Sequence, residues 1–200
     1  MPETAKQVPA AVFIDRDGVI NLDSPNYIKT PDECSFISGS LEAIVRLSRA
    51  GIPVILITNQ SVIGRGMVTL GGLFDIFRKL LTSVETAGGR ITDIFFCPHH
   101  PDDGCACRKP LPGLLYQARD KYGIDLSRTI MIGDSVKDLA AARNAGCGNA
   151  WLVLTGNGKP AMTRLIAANQ APDAHFPDLA HAADHLLSAL MPSSRQGVSL

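Results

Sequence analysis

This sequence lacks net charge: its 19 lysine and arginine side chains are matched by 19 aspartates and glutamates, and its isoelectric point is near 6.9. A phosphate polymer is held by an excess of positive charge that releases counterions, so no nucleic-acid partner is expected. Long apolar runs are missing as well. The longest charge-free, apolar-leaning stretch, residues 51–64, is interrupted by Pro53, Asn59, Gln60 and Ser61, and a membrane helix needs ~20 apolar residues. The N-terminal MPETAKQVPAAVFID offers a five-residue apolar run before Asp15, against the ~7 to 15 of a signal peptide. No membrane partner is expected, and the cytoplasm is the expected compartment. Cysteine is sparse and odd in number: of five, three crowd between Cys97 and Cys107 beside His99 and His100. That spacing suggests a metal rather than a disulfide framework. Cys34 and Cys147 stand alone and read as small buried side chains.

Other signatures are also absent. Gly64, Gly66, Gly71 and Gly72 do not form a dinucleotide fingerprint, because the third glycine would fall at Thr69. His181 and His185 are spaced like helix-borne metal ligands but lack the adjacent glutamate of a zinc protease, and read as a solvated helix face. No internal repeat or linker divides the chain. One domain is expected over residues 1–191, with residues 192–200 as a disordered tail.

What is present alternates. The runs Ala11 to Ile14, Ile52 to Ile57, Ile91 to Phe96, Thr129 to Ile132 and Ala150 to Leu154 are apolar almost throughout, the pattern of strands buried on both faces. Between them lie helical periods. Leu41, Ile44, Val45 and Leu47 follow a possible cap at Ser40 and stop before Gly51, and Leu73, Phe77, Leu80 and Val84 share a stripe. Pro112 opens a third helix that stops at Gly123, and a fourth, Val136 to Ala145, stops at Gly146. This order predicts an α/β fold: a Rossmann-like parallel sheet flanked by helices on both faces. With no apolar stripe left over, a monomer is expected.

Ligands of an open parallel sheet sit beyond the carboxyl ends of its strands. Those positions are polar here: Asp15-Arg-Asp17-Gly, Thr58-Asn59-Gln60-Ser61, the stretch from Cys97 to Pro110 ending in Arg108-Lys109, and Gly133-Asp134-Ser135. A carboxylate facing a phosphate ester is repelled by about 4 kcal/mol per charge pair at ~4 Å and effective dielectric ~20, which cations must offset. Asp15 and Asp134 together make an oxygen site suited to Mg²⁺. Lys109 and the Thr58 hydroxyl supply a charge and a hydrogen bond for the other phosphoryl oxygens. Asp15 can then attack phosphorus while Asp17, two residues on, moves the proton. Cys97, His99, Cys105 and Cys107 form a C-x-H-x5-C-x-C set suited to tetrahedral Zn²⁺, with His100 as the alternative to His99. Such an ion has no open position, so its expected role is structural: it pins the loop that delivers Arg108 and Lys109.

FIDRDGVIN, ILITNQS, CRKP and MIGDSVKD, in this order, resemble the four motifs of the haloacid dehalogenase superfamily of phosphatases, over about Val12 to Gly156. The resemblance implies Asp15 as nucleophile, Asp17 as general acid/base, and Thr58 and Lys109 as the residues that steady the phosphoryl group. It implies Mg²⁺ on the Asp15 side chain, the Asp17 carbonyl and the Asp134 side chain, and it favours His99 on Zn²⁺. The zinc-loop branch has no cap domain, and the 43 positions from Asp15 to Thr58 and the 51 from Thr58 to Lys109 leave no room for one.

Within that branch the resemblance extends to phosphatases of heptose 1,7-bisphosphate and of histidinol phosphate. A second phosphate invites arginine, whereas the amine of histidinol phosphate invites acid. Ser61 stands where the histidinol enzymes tend to carry aspartate, and Arg65, Asn21, Asp23 and Tyr27 resemble the heptose enzymes. The expectation is a sugar bisphosphate, with Arg65 or Arg108 at the second phosphate, Asp23 and Tyr27 near the sugar, and Asn59, Gln60 and Ser61 also contacting substrate. Ser135 departs from the lysine that the heptose enzymes place after the motif acid; Lys137 follows two positions later. A zinc-stabilised binding module on a degenerate phosphatase fold is the alternative of another class, opposed by the neutral charge and the complete catalytic set.

Overall fold

In a computed structural model the described residues are 8–190. Six short strands, β1 (Ala11–Ile14), β2 (Val54–Asn59), β3 (Asp93–Cys97), β4 (Thr129–Gly133), β5 (Asn149–Val153) and β6 (Ala174–Phe176), form one sheet in the order β3-β2-β1-β4-β5-β6. All pairings are parallel, with Val12 in register with both Val54 and Ile130. Strand side chains alternate between faces, so each apolar run feeds two cores. Val12, Ile14, Val54, Leu56, Ile130, Ile132, Trp151 and Val153 face one layer, and Ala11, Phe13, Ile55, Ile57, Met131, Ala150 and Leu152 the other.

The first layer is covered by α1 (Ser40–Arg49), α2 (Leu70–Thr86) and α6 (Leu179–Leu190), the second by α3 (Gly113–Tyr122), α4 (Val136–Ala145) and α5 (Gly158–Ala167). All three predicted helix stops hold: Gly51 follows the end of α1 at φ 76°, and Gly123 and Gly146 cap α3 and α4 in the left-handed region, at φ 65° and 78°. Ser40 is not a cap. Gly39 takes that position at φ 79°, and the Ser40 hydroxyl is buried and donates to the Ile20 carbonyl at 2.7 Å. Strands β2 and β3 begin two residues later than their apolar runs, β2 only beyond Pro53, which has no N–H to give the ladder. The sequence reading stops before β6 and does not assign α5. β6 is three residues long at an edge with His175 exposed, too short to leave a period.

Met67, Leu70 and Phe74 stand about half exposed where the chain enters α2, so an apolar stripe is left over after all. His181 and His185 are both exposed, as expected of a solvated helix face: His181 is bonded to Asp178, and the His185 ring lies 5.7 Å from that of Trp151. The expected tail, residues 192–200, lies outside the described residues. None of the described helices is long and apolar enough to cross a membrane.

The strand order reverses direction between β1 and β4, opening a crevice beyond their carboxyl ends. The acids Asp15 and Asp134 follow those two strands.

Candidate active site

Asp15 leaves β1 into a cleft of about 540 Å³. Its Oδ1 lies 2.8 Å from Lys109 Nζ, which also meets Asp138 Oδ1 at 2.6 Å and the Ile57 carbonyl at 2.7 Å. All three ammonium donors are thereby used. Lys109 is itself placed by Asn59, whose side-chain amide donates to the Lys109 carbonyl and accepts from its N–H, both at 3.1 Å. Burial, reinforced by Asp138 and Asp134 and opposed by Lys109, pushes the Asp15 carboxyl well above its ordinary value. Burial and then Asp138 push Asp134 up to about 7.

Carboxylate oxygens of Asp15, Asp134 and Asp138 lie within 4.8 Å of one another. Three buried acids against one ammonium leave negative charge that a low-dielectric pocket does not tolerate without a further cation. The donor set fits Mg²⁺: bonds of ~2.1 Å at right angles put neighbouring oxygens ~3 Å apart and opposite ones ~4 Å apart. Asp138 is the poorest ligand of the three. Lys109 holds one of its oxygens, and the Ser135 N–H and hydroxyl hold the other at 3.0 and 2.6 Å. Gly18, at φ +79°, passes so close that a Cβ there would sit 2.0 Å from Asp134 Oδ2.

Asp17 is saturated with donors. Arg16 reaches its two oxygens at 2.7 and 2.8 Å, Asn21 donates at 2.9 Å, and Gln60 donates at 2.9 Å. Burial alone would raise this carboxyl, but the Arg16 guanidinium and these amides hold it below the usual range. The Gln60 amide also donates to the Thr58 hydroxyl oxygen at 2.9 Å, leaving the Thr58 O–H free to donate elsewhere.

The cysteine loop closes the other side. Cys97 Sγ lies 3.5 Å from both Cys105 Sγ and His99 Nδ1, Cys107 Sγ lies 3.2 Å from His99 Nδ1, and the Cys105 and Cys107 sulfurs are 3.6 Å apart. A tetrahedron with ~2.3 Å Zn–S bonds has sulfurs ~3.8 Å apart, so the set fits Zn²⁺. Burial and the neighbouring sulfurs push the Cys107 thiol up to about 12, and such thiolates coexist around a cation. His100 is outside the set: its Nδ1 accepts from the Asp102 N–H at 3.3 Å. Gly64 braces the loop by donating to the Pro98 carbonyl at 2.8 Å, and a Cβ there would sit 2.4 Å from His100 N.

A HAD-hydrolase-like family model matches residues 106–182. The D-glycero-β-D-manno-heptose-1,7-bisphosphate 7-phosphatase of Bordetella bronchiseptica is 44% identical over 178 residues, covering 88% of this chain and 97% of its own. Its Pseudomonas aeruginosa counterpart is 47% identical over 176 residues, with the same coverage. The chain belongs to the heptose-bisphosphate phosphatase family. The solved D,D-heptose 1,7-bisphosphate phosphatase from B. bronchiseptica, complexed with magnesium and phosphate, superposes with TM-score 0.83 at 44% identity, over 89% of this chain and 98% of that one.

In this heptose-bisphosphate phosphatase family member, Asp15, Asp17, Asp23, Tyr27, Thr58, Asn59, Ser61, Arg65, Arg108, Lys109 and Asp134 all line the one cleft. Gln60 is buried behind it, with its amide spent on Asp17 and Thr58. Asn59 reaches the cleft wall while its amide clamps Lys109. Asp23 accepts from the Asn157 side chain at 3.0 Å, and the Arg65 guanidinium lies 5.5 Å from the Tyr27 ring centroid. Sequence reasoning missed Asp138, along with Arg16 and Asn157. The S-x-x-D spacing of Ser135 and Asp138 marks a capping box and points Asp138 back toward the strand end. Nothing in the sequence signals that Arg16 is buried.

Proposed function

We propose that this chain removes the 7-phosphate of D-glycero-β-D-manno-heptose 1,7-bisphosphate through an aspartyl-phosphate on Asp15. The observation that carries the choice of substrate is Arg108, whose Nη1 is buried in the cleft wall with no partner among the described residues. A second phosphate would satisfy it. The amine of histidinol phosphate would instead need acid, and the extra acid on the wall, Asp23, already accepts from Asn157. The relatives supply the sugar and its β anomer.

Asp15 attacks phosphorus with one carboxylate oxygen while Lys109 holds the other. As the bond to the sugar C7 oxygen breaks, that oxygen takes the proton of Asp17. In the second half Asp17 withdraws a proton from water, which attacks phosphorus and breaks the bond to Asp15, releasing phosphate. At rest Arg16 keeps Asp17 a carboxylate; the negative phosphoryl oxygens beside it favour the protonated form that the first half requires. The Thr58 O–H and Lys109 neutralise the phosphoryl oxygens. Mg²⁺, on the Asp15 and Asp134 side chains and the Asp17 carbonyl, supplies the charge that lets an anionic nucleophile approach an anionic ester. Cys97, His99, Cys105 and Cys107 would hold Zn²⁺, which would fix the loop that carries Arg108 and Lys109. We place the chain in the cytoplasm, where its five unpaired thiols stay reduced, and read it as a monomer.

Phosphate release from heptose 1,7-bisphosphate and from histidinol phosphate, at matched concentrations with Mg²⁺, tests this reading. The bisphosphate is expected to be preferred, and Asp15→Asn to lower turnover about 10³-fold or more without unfolding the chain. Preference for histidinol phosphate would replace the substrate and keep the mechanism. Silence on both would sink the reading, and normal turnover by Asp15→Asn would sink the nucleophile.

A further inference from the structure

The cleft carries more positive charge than the transferred phosphoryl group can use. Lys109 is committed to Asp15, Asp138 and the Ile57 carbonyl. Beyond it Arg108, Lys137 and Arg164 line the same cleft, and none of the three side chains has a hydrogen-bond or ion-pair partner among the described residues. They come from neighbouring connections on one face of the sheet. Arg108 precedes α3, Lys137 is the second residue of α4, and Arg164 lies on α5, the three helices that cover the second core.

Local structure accounts for only part of this charge, since the last turn of α5 favours a cation at Arg164. Lys137 sits in the first turn of α4, where the helix dipole disfavours a cation. Arg164 is in the last turn of α5, but a helical side chain reaches back over the preceding turn, toward Pro160 and Ala161, which are themselves cleft wall. The opposite wall is different: Arg65 lies over Tyr27, and Asp23 is bonded to Asn157. Three cations without an ion pair, Arg108, Lys137 and Arg164, therefore stand on the side of α3, α4 and α5, against one, Arg65, on the opposite wall. An arginine fork beside a lysine point charge suits the oxygens of a phosphate dianion.

We infer that Lys137 and Arg164 form the subsite for the phosphate that is not transferred, and that they determine the preference for a bisphosphate. This rests on the bisphosphate reading above. The test is steady-state kinetics of the wild type, Lys137→Ala, Arg164→Ala, the double variant and Arg164→Lys on heptose 1,7-bisphosphate and on 4-nitrophenyl phosphate, which has a single phosphate. Each alanine is expected to raise the KM for the bisphosphate about tenfold with kcat unchanged, the size of one charge-assisted contact. Arg164→Lys is expected to recover part of the loss, and 4-nitrophenyl phosphate hydrolysis to stay as in the wild type. An unchanged KM for the bisphosphate, in a wild type that prefers it, overturns the inference and leaves the substrate reading standing. Equal losses on both substrates assign the pair to structure and also overturn it. A wild type with no preference for the bisphosphate overturns both.

Discussion

Lys109 and Asp138 are both almost fully buried, at 3% and 0% side-chain exposure, and 2.6 Å apart. Removing one partner of such a pair leaves a charge stranded in low dielectric, at a cost of about 3–5 kcal/mol. Lys109→Met is therefore expected to lower thermal stability as well as activity, and Lys109→Met/Asp138→Asn to recover part of the stability but not the activity. Additive melting shifts would show that the two residues are not coupled. Asp134 sets a pH dependence. Its carboxyl rises from an ordinary 3.8 to about 7 in the folded chain, so without a divalent cation the folded state binds that proton more tightly than the unfolded state does. Stability from this group is full below about 4 and is lost as pH rises toward 7. Mg²⁺ competes with the proton, so it is expected to raise the melting temperature more at pH 8 than at pH 5; equal shifts would argue against Asp134 as its ligand. The sequence made Asp15 and Asp134 legible because each follows a strand end, and Lys109 because it closes the loop after β3. Arg16 and Asp138 were not, because their importance lies in being buried against a partner.

At the scale of elements, the cysteine loop joins β3 to the start of α3 and ends at Arg108 and Lys109, which line the cleft. Its own regular structure is one 3-10 turn, Pro101–Asp103, so its shape depends on the thiol and imidazole cluster. Stripping metal with a chelator, or Cys107→Ser, is expected to remove one zinc per chain by metal analysis, lower the melting temperature and reduce kcat. Chelation that changes neither stability nor activity would remove zinc from this account. The Cys and His spacing was legible, and the family resemblance favoured His99, but spacing alone left His99 and His100 equivalent. Adjacent residues on a loop differ only in where the backbone turns, and here His100 turns to cap the 3-10 segment. Helix ends were read well where glycine had to adopt positive φ, at Gly51, Gly123 and Gly146. They were misread at Ser40, whose hydroxyl found a partner twenty residues away in the fold.

For the whole molecule, two cores on opposite faces of one sheet leave the carboxyl edge as the place where five loops meet. The amphipathic remainder is small: Met67, Leu70 and Phe74 at the entry to α2. Sedimentation equilibrium is expected to return the 21.3 kDa of one chain. A mass of two chains, lost on Phe74→Ser, would assign that stripe to a dimer interface instead.

The sequence by itself determined the alternation of strand and helix, the residues at the strand ends and the thiol and imidazole cluster of the loop, because periodicity, turn residues and motif spacing are local properties. Only the tertiary structure decided which groups pair: Asp138 with Lys109, Arg16 and Gln60 with Asp17, Asn59 with the Lys109 backbone, and Lys137 and Arg164 on one cleft wall. The physical reason is distance along the chain. Asn59 and Lys109 are fifty residues apart, and pairing across such a gap follows from how the two cores stack helices on the sheet, which no local pattern encodes.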